Sequence, residues 1–256
     1  MIDPTIPKSA LVTGAGRRIG RQIAVDLAHE GWAVAVHYNR SADEAVAVAD
    51  EIRAFGGRAV ALGADLADEP GLERLVTDAV ESLGPLGLLV NNASTFENDS
   101  IETATRESWD HHMQANLRAP FVLAQHFTRL LPQEAHGVIV NMLDQRVWNL
   151  TPYFLTYTVS KSGLWTLTRT LAMALAPRIR VNGIGPGPTL PSTHQTPEQF
   201  ARQAARMPLG HGTSPEEISA AVRFILAAPA MTGQMIALDG GQHLGWAHTP
   251  AGPEDS

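Results

Sequence analysis

An alternation constrains this chain more than any other feature. Seven short apolar runs, at residues 8–13, 33–37, 58–62, 86–91, 137–142, 179–184 and 234–238, are separated by segments whose apolar residues recur at helical spacing. Neighbouring parallel strands need a long crossover, and a helix is the usual one. Helices then cover both faces of the sheet, so its strands read as continuous apolar runs rather than as alternating ones. Ala10-Leu11-Val12 and Val138-Ile139-Val140 are of that kind. The expected fold is therefore α/β, with one doubly wound parallel sheet of about seven strands.

Helices are expected at 21–30, 43–55, 70–83, 106–131, 152–176 and 215–227, with Gly31 and Gly56-Gly57 closing the first two and Pro70 opening the third. Residues 185–213 are the least regular internal stretch and read as a functional lid or an unstructured insert. A single catalytic domain over 1–246, containing a substrate loop at 188–212, and a frayed polar tail at 247–256 follow from this pattern.

With 256 residues, 44% of them hydrophobic and 18% charged, the chain suits one globular domain. No apolar run approaches the ~20 residues needed to span a bilayer, and the N-terminus has no basic stretch followed by a long apolar one, so neither a membrane partner nor a secretory signal is expected. The absence of cysteine excludes disulfides and a thiolate nucleophile, and fits a cytoplasmic location. A formal charge of -7 without a Lys/Arg cluster argues against nucleic acid. The ten histidines are scattered, the adjacent His111-His112 face different ways on a helix, and no metal-ligand spacing occurs, so no metal is expected.

The chemistry-bearing residues fall after the strands. Gly14, Gly16 and Gly20 follow the first strand and open the first helix, a place where bare backbone and helix N–H groups can meet a pyrophosphate. Gly14, Arg17, Arg18 and Ile19 are the candidate contacts of that turn, although a plain tight turn has the same composition. The second strand ends in His37-Tyr38-Asn39-Arg40-Ser41, with no acid for a ribose 2′-hydroxyl. Arg40 and Ser41, joined by Arg17 and Arg18, are expected to hold a 2′-phosphate, which favours NADPH/NADP+ over the unphosphorylated cofactor. Asp65-Leu66 and Asn91-Asn92-Ala93 lie on the same strand-end edge and suit adenine and ribose contacts; each is also an ordinary turn former. Asn116 sits among apolar residues, as a satisfied structural amide or as a member of a proton relay.

Tyr157 and Lys161 are four apart on a helix and share a face. A cation there is expected to lower the phenol pKa and make the tyrosine a usable proton donor. The same spacing also arises on helices that do no chemistry. Asp144 lies thirteen residues before Tyr157, directly after the fifth apolar run.

Taken in order, the TGxxxxxG turn, Asn91-Asn92-Ala93, Asn116, Tyr157-x-x-x-Lys161 and Pro186-Gly187 resemble the short-chain dehydrogenase/reductase family over residues 8–246. The resemblance implies a Rossmann fold, hydride transfer from a nicotinamide, Tyr157 as acid/base, Lys161 lowering its pKa and holding the ribose, and Asn116 in a water relay. It places Pro186, Gly187 and Thr189 near the nicotinamide and pyrophosphate, and it implies a homotetramer built through long helices. Two departures stand out. Arg18 replaces a glycine, and Asp144 replaces a serine that donates to a substrate carbonyl. Both are similar to the pteridine reductase branch, as is Ser94-x-Phe96. That likeness implies that Phe96 stacks a flat substrate against the nicotinamide, that Ser94 contacts substrate and cofactor phosphate, and that Asp144, Tyr157 and Phe96 form the substrate site. Trp148, Tyr153, Pro191, His194 and Met207 are further pocket candidates, and Trp246 lies on a C-terminal stretch that can reach a neighbouring subunit. The alternatives are a carbonyl or 3-oxoacyl reductase of the same family and a non-catalytic NADP(H) sensor.

Overall fold

A computed structural model of the protein describes residues 2–192 and 195–245; His194, Trp246 and the 247–256 tail lie outside them. The strands are β1 (Ser9–Val12), β2 (Ala33–Tyr38), β3 (Ala59–Gly63), β4 (Leu88–Asn91), β5 (Gly137–Met142), β6 (Ile179–Pro186) and β7 (Met235–Leu238). They form one parallel sheet in the order β3-β2-β1-β4-β5-β6-β7. Successive residues of a strand point to opposite faces, and here both faces are core. Ala10 and Val12 pack with Ile23 and Leu27 of α1 (Arg18–His29) and with Val222 and Ile225 of α8 (Pro215–Ala227). Leu11, on the other face, packs with Leu72 and Leu75 of α3 (Glu69–Leu83) and with Leu123 and Phe127 of α5 (Ala119–Leu130). Each fully buried valine, leucine, isoleucine or phenylalanine among them stabilises the sheet by about 1.5–3 kcal/mol, so the strand ends form a rigid edge.

Three of the expected elements are corrected. Residues 106–131 are not one helix: α4 (Arg106–Met113) passes through a π-helical turn at Gln114–Arg118 before α5 begins. Pro120 explains the break. It has no N–H to give to the carbonyl four residues earlier, that of Asn116, and a widened turn accommodates the loss. The irregular stretch 185–213 contains a helix, α7 (Pro197–Ala205), started by a reciprocal cap between Thr196 and Gln199. That T-x-x-Q signal is in the sequence and is worth about 1 kcal/mol. Finally, α6 (Leu155–Leu175) starts three residues later than expected, because Phe154 takes a left-handed conformation with φ 57°. The remaining helix, α2 (Ala42–Ala54), follows β2.

Chain order reverses between β1 and β4, and a crevice opens at the C-terminal ends of the strands on either side of such a switch point. All of the candidate residues lie along that edge or on the helices that face it.

Candidate active site

The crevice has a cavity of about 740 Å³ over the ends of β1, β2 and β3, reaching β4. Gly14, Arg17, Arg18, Ile19, the whole 37–41 stretch, Asp65, Leu66, Asn92, Ala93 and Ser94 line it. The glycine turn must be bare: Gly14 has φ +62°, and a Cβ on Gly20 would lie 2.3 Å from the Gly14 carbonyl oxygen. Thr13 and Asn92 lock the turn to β4. The Thr13 hydroxyl accepts from the amides of Asn92 and Ala93, and the Asn92 side chain donates to the carbonyls of Thr13 and Gly14 at 2.8 and 3.2 Å. His37 is a second strut. Its Nδ1 accepts from the Gly14 amide at 3.1 Å and its Nε2 donates to the Ala64 carbonyl at 3.1 Å, with the ring buried. Burial keeps it neutral, lowering its pKa to about 4.

Several expectations change here. Asn92 and His37 spend their polar atoms on backbone, so they shape the cavity rather than offer it free donors. Asn91 faces away, donating to the buried Asn141. Asp65 accepts from the Ala67 amide as a turn former. The three arginines do not converge. Arg17 pairs with Glu44 at 3.4 Å, and the Arg18 guanidinium donates to the carbonyls of Pro191 and Leu190 at 2.9 and 3.3 Å, tying the first helix to the loop after β6. Arg40 is exposed and makes no ion pair or hydrogen bond with the described residues. Pro186, Gly187 and Thr189 lie at and beyond the end of β6, outside the wall of this cavity, with the Thr189 hydroxyl on the Gly187 carbonyl. Even so, the residues present fit a dinucleotide with a 2′-phosphate: a cradle that any Cβ at Gly20 would fill, a helix N-terminus beside it, and a free cation at Arg40. Such a cofactor supplies a hydride.

The catalytic candidates meet beyond the cavity. The Tyr157 hydroxyl donates to Asp144 Oδ2 at 2.9 Å. The same oxygen accepts from Arg146 Nη1 at 3.1 Å, while Asp144 Oδ1 accepts from the Arg146 amide at 2.8 Å. Lys161 is 2% exposed, donates to the Met142 carbonyl at 2.7 Å and lies 5.7 Å from the Tyr157 ring centroid. The expected lowering of the phenol pKa is not what this arrangement does. Burial raises the Tyr157 phenol well above its ordinary range, the Asp144 carboxylate adds to the rise, and Arg146 opposes it. Burial also lowers Lys161 to about 8, against the pull of Asp144. The lysine ammonium is spent on a carbonyl, and the group in direct contact with the phenol is an acid.

Asn116 is fully enclosed in the π-helical turn. Its Oδ1 accepts from the Thr95 amide and the Ser94 hydroxyl at 2.9 and 3.1 Å, and its Nδ2 donates to the Thr95 carbonyl and the Ser160 hydroxyl, both at 3.0 Å. It clamps the loop after β4 onto α6, and in doing so it orients Ser94. Phe96, on that loop, stacks on Phe154 with centroids 4.5 Å apart and meets the Tyr157 ring edge-on at 4.8 Å.

Sequence reasoning missed Arg146, Phe154 and a buried relay behind Tyr157. In that relay Glu97 N donates to His112 Nε2, so His112 Nδ1 donates to Thr156 Oγ1 at 2.7 Å, and Thr156 donates in turn to Asp99. The relay fixes the Phe96 loop to the start of α6. Only an unusual charge two residues after Asp144 signalled Arg146. Trp148 turns toward Trp165 and His243, Tyr153 is exposed, and Met207 is buried.

A positioned phenol beside an acid, a buried lysine and a bare dinucleotide cradle can deliver a proton to an atom next to a hydride acceptor. Among the described residues no cluster of three His, Cys, Asp or Glu side chains is placed to hold a metal, and no helix is long and apolar enough to cross a membrane.

Comparison with known proteins bears on this geometry. The family described as enoyl-(acyl carrier protein) reductase matches residues 14–243. A 3-oxoacyl-[acyl-carrier-protein] reductase of Staphylococcus aureus is 34% identical over 242 residues, covering 93% of this chain and 98% of that protein. The crystal structure of FolM alternative dihydrofolate reductase 1 from Brucella suis, in complex with NADP, is 50% identical with a TM-score of 0.91, covering 94% of this chain and 97% of that one. Its counterpart from Brucella canis, also with NADP, is 47% identical with a TM-score of 0.93, over 97% and 99%.

Proposed function

This chain belongs to the short-chain dehydrogenase/reductase family, and from that premise we propose that it is an NADPH-dependent reductase of a pteridine-like substrate, a dihydropterin or a related C=N or C=O compound. The observation that carries the reading is the 2.9 Å bond from Tyr157 to Asp144. An aspartate in that place makes the acid pair of a site that protonates a ring atom, where a hydroxyl would simply hold a carbonyl. The 50% identity to a protein described as an alternative dihydrofolate reductase supports the same substrate class. NADPH binds along the glycine turn, with Arg40 and Ser41 about its 2′-phosphate. Tyr157 delivers the proton, Lys161 and Asn116 hold the active-site frame, and Phe96 receives a flat ring. The protein works in the cytoplasm as a homotetramer.

The test is NADPH oxidation with 7,8-dihydrobiopterin, dihydromonapterin and dihydrofolate. Turnover well above background is expected, and background rates with all three would remove the substrate class. The 34% identity to a 3-oxoacyl reductase favours a second reading, a carbonyl reductase that carries an aspartate. Asp144→Ser separates the two: the pteridine reading expects a large loss, the carbonyl reading little change or a gain. Light scattering checks the tetramer.

A further inference from the structure

The site has an acceptor where a donor is needed. A substrate that gains a hydride develops negative charge on the neighbouring oxygen or nitrogen, and a hydrogen-bond donor must meet it. Asp144 stands at that place with both oxygens accepting. Besides the Tyr157 hydroxyl, the side-chain donor to it is Arg146, on the 3-10 turn Gln145–Val147 that follows β5.

Three observations bear on Arg146. First, its guanidinium is mostly buried, with the side chain 16% exposed, and its Nε is enclosed without a partner among the described residues. A buried donor left unpaired costs about 1–3 kcal/mol. Second, its Cζ lies 4.9 Å from the Phe154 centroid and 5.5 Å from that of Phe96, while the two rings are 4.5 Å apart and nearly parallel. Those three lengths make an almost even-sided triangle. The guanidinium therefore sits beside the stacked pair, off its axis; on the stack axis it would be about twice as far from one ring as from the other. Third, Phe154 holds its ring there from a left-handed backbone, φ 57°, which costs a non-glycine residue about 1–3 kcal/mol. Two local costs thus adjoin one flat aromatic slot.

Resting on the reductase reading above, we propose that Arg146 is a specificity-determining residue: it donates to the acceptor atom on the edge of a flat conjugated substrate ring, which takes the place of the Phe154 ring on Phe96. A ring in that slot keeps the stacking on Phe96, turns its edge toward the guanidinium, and gives the orphaned donor a partner. Swinging Phe154 aside also lets its backbone leave the left-handed region. Meanwhile Arg146 keeps hold of Asp144 and balances its charge. Tyr157 is faced by Asp144 and Arg146 from the segment after β5, by Lys161 from its own helix and by His112 from α4. Among these, Arg146 is the cation paired directly with the carboxylate.

The test uses the full chain loaded with NADP+ or NADPH, with 7,8-dihydrobiopterin and an acetoacetyl thioester as the two probes. Arg146→Ala is expected to lower kcat/KM about ten- to hundredfold for the probe that the wild type reduces, with NADPH affinity unchanged within about twofold. Millimolar ethylguanidinium is expected to restore part of the loss. Arg146→Lys is expected to retain the pH profile, because it keeps the charge, but not the KM, because it has no guanidinium fork. In the Ala variant the basic limb of the profile moves to higher pH, since the cation favouring the phenolate is gone. Wild-type reduction of dihydrobiopterin with Arg146→Ala within threefold of it overturns the role of Arg146 and keeps the pteridine reading. Loss in Arg146→Ala seen on the thioester alone, with no dihydrobiopterin turnover, keeps Arg146 as a substrate-contacting donor but removes the pteridine reading and, with it, the flat-ring slot on Phe96. A wild type that neither reduces nor binds either probe, followed by quenching of protein fluorescence, overturns both.

Discussion

At the β1–β3 end of the crevice the working surface is mostly main chain, with the exposed Arg40 side chain as the exception. The Gly14 turn, the α1 N-terminus and the struts from Thr13, His37 and Asn92 all act through peptide groups. At the β5–α6 end the working groups are side chains alone: Asp144, Arg146, Phe96, Phe154, Tyr157 and Lys161, brought from three separate segments. The first half is preformed and open, with a cavity of about 740 Å³. The second is filled by its own rings. The difference fits a division of labour: a constant cofactor meets rigid backbone, and the substrate meets side chains, which can differ between relatives without disturbing the sheet.

Four experiments break or sharpen that contrast. The largest effect is expected from Tyr157→Phe, which removes the proton donor and keeps the ring. kcat falls about 10²- to 10⁴-fold, while NADPH affinity, read by fluorescence titration, stays at its wild-type value. A parallel loss of NADPH affinity would show that the two halves are not separable.

Acid comes next, and it strikes the cofactor half. His37 is held at about 4 by burial, below its ordinary 6.5. Between those values the unfolded chain binds a proton that the folded one refuses. The stability is complete above pH 6.5 and is lost as pH falls toward 4, by roughly 3 kcal/mol at most. Urea midpoints at pH 7 and pH 5 measure the loss, and His37→Gln is expected to flatten it. An equal fall in both proteins would place the acid sensitivity elsewhere.

Gly20→Ala is the third. Its Cβ would fall 2.3 Å from the Gly14 carbonyl oxygen and 2.5 Å from Asn92 Nδ2, so the turn must shift. A loss of about 1–3 kcal/mol together with weakened NADPH binding is expected in thermal and titration measurements. Unchanged binding would mean that the turn is not the cradle. The smallest effect belongs to Arg40→Gln. An exposed cation on a phosphate is worth about 1.4 kcal/mol, so NADPH affinity drops about tenfold and NADH affinity does not move. Equal changes for both cofactors would remove the 2′-phosphate assignment.

How much of this was legible follows the same division. The seven strands, their parallel direction and the bare glycine turn are written in local patterns: continuous apolar runs, helical spacing, and glycines between a strand and a helix. The break at Asn116 was also written, in Pro120, and the cap of α7 in Thr196 and Gln199. What local pattern could not supply was direction. Arg17 and Arg18 sit next to each other, yet one guanidinium meets Glu44 and the other meets the loop after β6. Tyr157 and Lys161 share a helical face, yet the lysine reaches a carbonyl and the phenol reaches an acid.

The sequence by itself therefore determined the family, the sheet and the cofactor edge, and it named Asp144, Tyr157 and Lys161 as candidates, because each of these depends on periodicity or on residue type at a strand end. Only the tertiary structure decided that the phenol pKa rises, that Arg146 shares the Asp144 carboxylate, and that Phe154 fills the slot on Phe96. Those outcomes depend on burial and on distances between segments far apart in the chain. Coulomb energy and desolvation change steeply over a few ångströms, and no spacing in a sequence records them.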